Sequence, residues 1–162
     1  MKNSFSAWMF KYFYHSAVKA ELKRRGFPQS TADKIIREYD KISARAKDIG
    51  KSRLISSYVM GIYFIAMNRS TGKDAEENFE IFRDGLCASK LFRKAVGNAE
   101  SYLDEKKMAG RLKWSEDSHK RLYENDWMLD ILPGNGEYDL GYDYHQCGIC
   151  KICSDEGCPQ HS

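Results

Sequence analysis

The stretch Trp127–Cys158, WMLDILPGNGEYDLGYDYHQCGICKICSDEGC, is where the chain leaves one periodicity for another. Tyr138, Leu140, Tyr142 and Tyr144 alternate with Glu137, Asp139, Asp143 and His145. Successive side chains of a strand point to opposite faces, so this spacing gives an apolar face and a face of carboxylates ending in an imidazole. Upstream, Tyr123, Trp127, Leu129 and Ile131 alternate in the same way with Glu124, Asp126 and Asp130. Pro133-Gly134-Asn135-Gly136 lies between them; proline presets φ and glycine and asparagine tolerate positive φ, so these residues predict a turn. The expectation is an antiparallel hairpin leading at once into a segment rich in cysteine.

The residues before the hairpin read as helices. Phe5, Trp8, Met9, Tyr12, Phe13, Ala17 and Ala20 recur at three-and-four spacing within residues 4–25, and are expected to form a packing face. A second helix opens at Pro28 and Ser30, with Asp33 as a partial capping box, buries Ile35, Tyr39, Ile42, Ala46 and Ile49, and closes at Gly50. The third, from about Arg53 to Asn68, is apolar around much of its circumference and is expected to be central. A fourth starts near Asp74 with Ala75, Phe79, Phe82 and Leu86 inward, and Gly85 is a candidate bend before Leu91, Phe92 and Val96. Helix is expected to continue over 98–107, whereas 108–118 reads as a connector anchored by Trp114. The fold class is α+β: a bundle of four to five N-terminal helices, then the hairpin, then a short cysteine-bearing helix. One domain of 162 residues is expected, with 1–50 as a helical extension and 51–162 as the region carrying the chemistry.

Charge narrows the partners. Residues 1–55 hold 13 Lys/Arg against 5 Asp/Glu and the remainder 13 against 18, but the cations are interspersed with acids along helical patterns. That describes a solvated face, so neither a nucleic-acid nor a membrane partner is expected. The longest apolar run, Val59–Met67, is nine residues, far short of the roughly 20 that span a bilayer. Lys11 and His15 interrupt the first apolar stretch, against a secretory signal, and a cytoplasmic protein with reduced thiols is expected.

Two chemistries suit the C-terminal segment. Cys147, Cys150, Cys153 and Cys158 follow C-x2-C-x2-C-x4-C, one residue longer at the last interval than a bacterial ferredoxin run, and thiolates equally suit zinc. On a helix, however, Cys158 would stand about three turns from Cys147, roughly 16 Å away, which favours small core residues over a four-cysteine centre. Cys87 reads likewise as a buried small residue. No resident cofactor is therefore expected, with zinc or an Fe–S cluster as the alternative. Separately, Asp143 and His145 end the strand just before Cys147, where an acid or imidazole can act as base and a thiol as nucleophile. Glu124, Asp126, Asp130 and Asp139 read as solvated acids.

EYDLGYDYHQCGICKICSDEGC, together with MNRSTGKDAEENFEIF, resembles the L-2-amino-thiazoline-4-carboxylic acid hydrolase-like proteins of bacteria, over about 60% of the chain from Tyr63 onward. The resemblance implies a small-molecule substrate and hydrolytic opening of a cyclic C=N ring. In the namesake reaction water adds to the carbon between nitrogen and sulphur, and the C–S bond breaks to give N-carbamoyl-L-cysteine. By their position at and before the strand end, Asp143, His145 and Cys147 are the catalytic candidates for such a reaction, and Trp127, Glu137, Tyr142 and Tyr144 are the candidate substrate contacts. Family members continue into a further cysteine–aspartate segment and a strand that do not follow Ser162 here, so a shortened and catalytically degenerate relative is one expectation. A non-catalytic ligand-binding or dimerising module is another: a bare hairpin is marginal alone, and a homo-oligomer through it would supply the missing neighbour.

Overall fold

The computed structural model describes residues 4–49, 54–96, 104–120 and 125–158. Among these, α1 (Phe5–Arg24), α2 (Gln29–Arg45), α3 (Ile55–Ser70), α4 (Ala75–Ala88), α5 (Lys90–Val96) and α6 (Glu105–Ser118) precede β1 (Met128–Pro133), β2 (Leu140–Gln146) and α7 (Gly148–Asp155). The protein is α+β: helices first, then one antiparallel hairpin, then a short helix. No helix among the described residues is long and apolar enough to cross a membrane.

Helix α3 is the hub. Tyr58, Val59, Ile62, Tyr63, Ala66 and Met67 are fully enclosed, and α1, α2, α4 and α7 all pack on it. Such all-round burial is what an apolar circumference demands. Residues 7 to 152 contribute to one continuous core, so α1 and α2 share it with the hairpin and α7. On α2, Ile35, Tyr39 and Ile42 are buried as their spacing predicts, as is Ile49 just beyond the helix. Asp74 caps α4 by accepting a hydrogen bond from the Glu77 N–H.

Several expectations need correction. On α1 the buried residues are Ala7, Tyr14, Ala17, Val18, Glu21 and Leu22, while Phe5, Trp8, Met9 and Tyr12 face solvent. This helix is apolar on two sides, so three-and-four spacing alone did not choose between them. Helix α2 ends at Arg45, with Ala46 already extended, and Ser30 makes no cap. Phe79 is exposed; Asn78 and Ile81 take its inward place. The break after α4 falls at Ser89, not Gly85, where a Cβ would stand 2.8 Å from the Ala17 carbonyl oxygen. That glycine allows α4 to close on α1. Cys87 is exposed. The expectations at Gly50, Arg53, Tyr123 and Glu124, and over most of 98–107, lie outside the described residues.

The most consequential correction is α6, which occupies the stretch expected to be a connector. Asp104 nucleates it by accepting from the N–H groups of Lys106 and Lys107. Its role is to cover an edge of the sheet. Ser118 Oγ accepts from the Leu129 N–H at 3.2 Å and Ser115 Oγ from the Ile131 N–H at 3.2 Å. Both hydroxyls also lie within donating distance of the Leu129 carbonyl. Two serines one helical turn apart thus replace a third strand along β1. Because these hydroxyls are buried, Ser115→Ala and Ser118→Ala should each cost about 1–3 kcal/mol in urea unfolding, the penalty of an unsatisfied buried amide.

The turn closes as its composition predicts. Glu137 N–H donates to Asn135 Oδ1, and Gly136 takes φ 98°. β1 and β2 pair with Leu129 opposite Tyr144, Asp130 opposite Asp143 and Ile131 opposite Tyr142. At the far end, Glu156 receives Arg45 of α2 and Arg69 of α3, which ties the exit of α7 to the bundle.

Candidate functional site

The pairing register places two carboxylates, Asp130 and Asp143, directly opposite each other on the polar face of the hairpin. Like charges so opposed are destabilising, and the sequence answers with imidazoles. His145 Nε2 lies 2.7 Å from Asp130 Oδ2. His119, which caps the C-terminus of α6, places its Nε2 2.8 Å from Asp130 Oδ1. An ionised carboxylate only accepts, so each imidazole donates through Nε2–H. The two rings stand 5.7 Å apart, and the three side chains are 41–45% exposed.

Support for the cluster comes from the edge-covering serines. Ser118, immediately before His119, is bonded to Leu129, immediately before Asp130. Helix and strand are therefore stapled one residue from each of two members of the cluster. Ser115 Oγ stands 3.5 Å from Asp130 Oδ1.

The electrostatics follow from these contacts. The His145 hydrogen bond, then that of His119, holds Asp130 below the usual carboxylate range. Asp130, chiefly through its hydrogen bond and with Asp143 adding a smaller pull, raises His145 above the ordinary imidazole value. The imidazolium–carboxylate pair therefore stabilises the fold between pH about 4 and about 6.5; this contribution is lost as pH rises through the higher folded value of His145 or falls through the lower folded value of Asp130. An NMR titration should place His145 above an unperturbed histidine, and Asp130→Asn should bring it back down.

The expected site residues distribute unevenly around this centre. His145 belongs to it, and Asp143 is close enough to act on it. Cys147 is the N-cap of α7, and its electrostatic neighbours are Cys150, Cys153 and Tyr144. The Cys147 thiol, together with burial, raises the pKa of Cys150. Burial, with the neighbouring thiols, pushes Cys153 up to about 11. Cys150 is exposed, whereas Cys147, Cys153 and Cys158 are half-buried and pack against the core, so the small core residues that the helical spacing suggests are found in part. Trp127 is in the core, edge-on to Tyr58, rather than lining the polar face. Tyr142 and Tyr144 stack at 6.1 Å on the opposite face, with Leu129 and Ile131. Glu137 is exposed in the turn.

His119 is not among the residues the sequence singles out, and Asp130 reads from sequence as a solvated acid. The signal for Asp130 was present: across a hairpin, residue 130 opposite 143 makes 145 its diagonal neighbour, within reach of a long side chain. His119 carried no such signal, because its position depends on α6 folding back on β1. Among the described residues, His119, Asp130 and His145 form the one group whose potential ligand atoms all lie within 4.8 Å of one another. A groove of about 650 Å³ lies elsewhere, lined by α1, α4 and α5 residues including Trp8, Tyr12 and Leu91.

Fold and site together define a small α+β protein that holds two imidazoles on one carboxylate at the open face of a hairpin. The chain belongs to the L-2-amino-thiazoline-4-carboxylic acid hydrolase family, whose model matches residues 52–161. The match begins upstream of Tyr63 and takes in all of α3, the hub of the fold, and the elements after it. No curated protein and no solved structure matches the chain.

Proposed function

We propose that this protein hydrolyses a small cyclic C=N compound of the thiazoline type on the polar face of its hairpin. The observation that carries the reading is the convergence of His119 and His145 on Asp130, in a chain of a family named for such a hydrolase. Water adds to the ring carbon between nitrogen and sulphur, and the ring nitrogen takes up a proton. The tetrahedral adduct then expels the sulphur; the carbonyl forms as the C–S bond breaks, and the thiolate is protonated. The His119–Asp130–His145 cluster is where water is activated, and Asp143, the nearest further carboxylate, is the group placed to accept its proton. The half-exposed geometry suits a small polar substrate approaching from solvent.

Cys147 as a covalent nucleophile is the competing assignment, favoured by its position at the N-terminus of α7. The test is thiol release from 2-amino-thiazoline-4-carboxylate, with the carbamoyl product identified by mass spectrometry. Turnover that survives Cys147→Ala and is lost in His145→Ala supports the polar-face reading; the reverse pattern overturns it in favour of the thiol. A second reading, a non-catalytic module, draws on the outer edge of β2. The Leu129 and Ile131 amides turn outward to α6, so their opposite numbers Tyr144 and Tyr142 present backbone groups on the other side, where no described segment pairs with them. Absence of turnover with a stable dimer in light scattering would favour it.

A further inference from the structure

We infer that His119, Asp130 and His145 form a binding site for a divalent transition-metal ion of the zinc class. Two imidazoles and a carboxylate are the donor set such ions take, and three protein ligands with an open fourth position are the pattern of a catalytic rather than a structural centre. The distances fit. Metal–nitrogen and metal–oxygen bonds of roughly 2.0–2.2 Å put tetrahedral donors about 3.4 Å apart. Here the two nitrogen–oxygen separations are 2.8 and 2.7 Å, and all the donors lie within 4.8 Å of one another. Small side-chain rotations would therefore bring all three onto one ion.

Both hydrogen bonds of the cluster spend an Nε2–H on the same carboxylate. A cation on the two nitrogens would take over the role of those protons, each leaving Nε2 as the ion binds, for Nδ1 in a neutral imidazole and for solvent in an imidazolium. The opposition of Asp130 and Asp143 also gains a purpose, since a cation relieves the repulsion that the register builds in. The scaffold places the three donors, with His119 set by a serine-stapled helix end, Asp130 by its pairing with Asp143, and His145 at the bulge between the Leu129–Tyr144 and Met128–Gln146 pairs. Exposure on the polar face leaves the remaining coordination position to water.

The site also deepens the hydrolase reading, and in that role rests on it, because a bound ion lowers the pKa of its water and supplies the nucleophile that ring opening needs. Binding itself is independent of any substrate and is tested without one. The full chain is stripped with a chelator and titrated with Zn²⁺ against a chromophoric competitor, and with Co²⁺ followed by absorption. The expected result is one equivalent bound, a Co²⁺ spectrum without thiolate charge-transfer bands, and affinity weakened at least about tenfold in His119→Gln and His145→Gln. Glutamine still donates to Asp130, so these variants keep the fold, as circular dichroism should verify. Cys147→Ser and Cys150→Ser should bind as the parent does. No saturable binding, or binding lost in the cysteine variants and kept in the histidine ones, overturns the inference. Binding at the histidines without thiazoline turnover would leave the metal site standing and refute the hydrolase reading alone.

Discussion

Trp127→Ala should lower the free energy of unfolding by about 3–5 kcal/mol, the range for truncating a buried aromatic, measured by urea denaturation. Trp127 is 3% exposed and meets Tyr58 edge-on, with ring centroids 6.1 Å apart and planes at 82°. It also defines where α7 begins: a Cβ added to Gly148 would stand 2.8 Å from the Trp127 ring and 2.5 Å from the Asn125 carbonyl oxygen. Asn125 in turn donates to the Tyr58 hydroxyl and to Asp155 of α7. Trp127 is therefore the point at which α3, the hairpin and α7 meet. Its loss should loosen the hairpin from the bundle, and a cost below about 1 kcal/mol would mean that the hairpin is held some other way.

The second large effect is on activity. Asp130→Asn should reduce thiazoline hydrolysis by about a hundredfold or more while leaving stability nearly unchanged. The asparagine keeps the shape of the side chain but offers one acceptor oxygen and one donor nitrogen, so it cannot receive both His119 and His145. Because the pairs are half-exposed, their direct contribution to folding is small. The separation matters: Trp127→Ala acts through stability, and Asp130→Asn acts through chemistry on an intact fold. Equal turnover in Asp130→Asn and the parent would remove Asp130 from the mechanism.

How far the sequence reveals this arrangement can be seen residue by residue. The hairpin is legible because alternation over Trp127–Ile131 and Tyr138–Tyr144 flanks Pro133-Gly134-Asn135-Gly136, whose residues favour a turn. The centrality of α3 follows from its apolar circumference. What local pattern cannot carry is the partner of each face. Phe5, Trp8, Met9 and Tyr12 have the spacing of a buried stripe, yet the opposite stripe of the same helix is the one that packs. Helix α6 has weak apolar periodicity and a glycine at position 110, so it reads as connector; its worth lies in Ser115 and Ser118, whose value exists only against the edge of β1. His119 is invisible for the same reason. The half of the site written within the hairpin, Asp143 and His145, is local. The half that depends on α6 is tertiary.

The proposed hydrolysis requires His119 and His145 to act at one point, through Asp130, although 26 positions separate them in the chain. A double-mutant cycle on kcat/KM for thiazoline hydrolysis, using His119→Ala, His145→Ala and the double variant, measures this directly. The expected result is strong coupling: either single change disables the shared centre, so the double variant is scarcely worse than the worse single. Losses that simply multiply, or a His119→Ala enzyme as active as the parent, would show that the two imidazoles do not work as one unit.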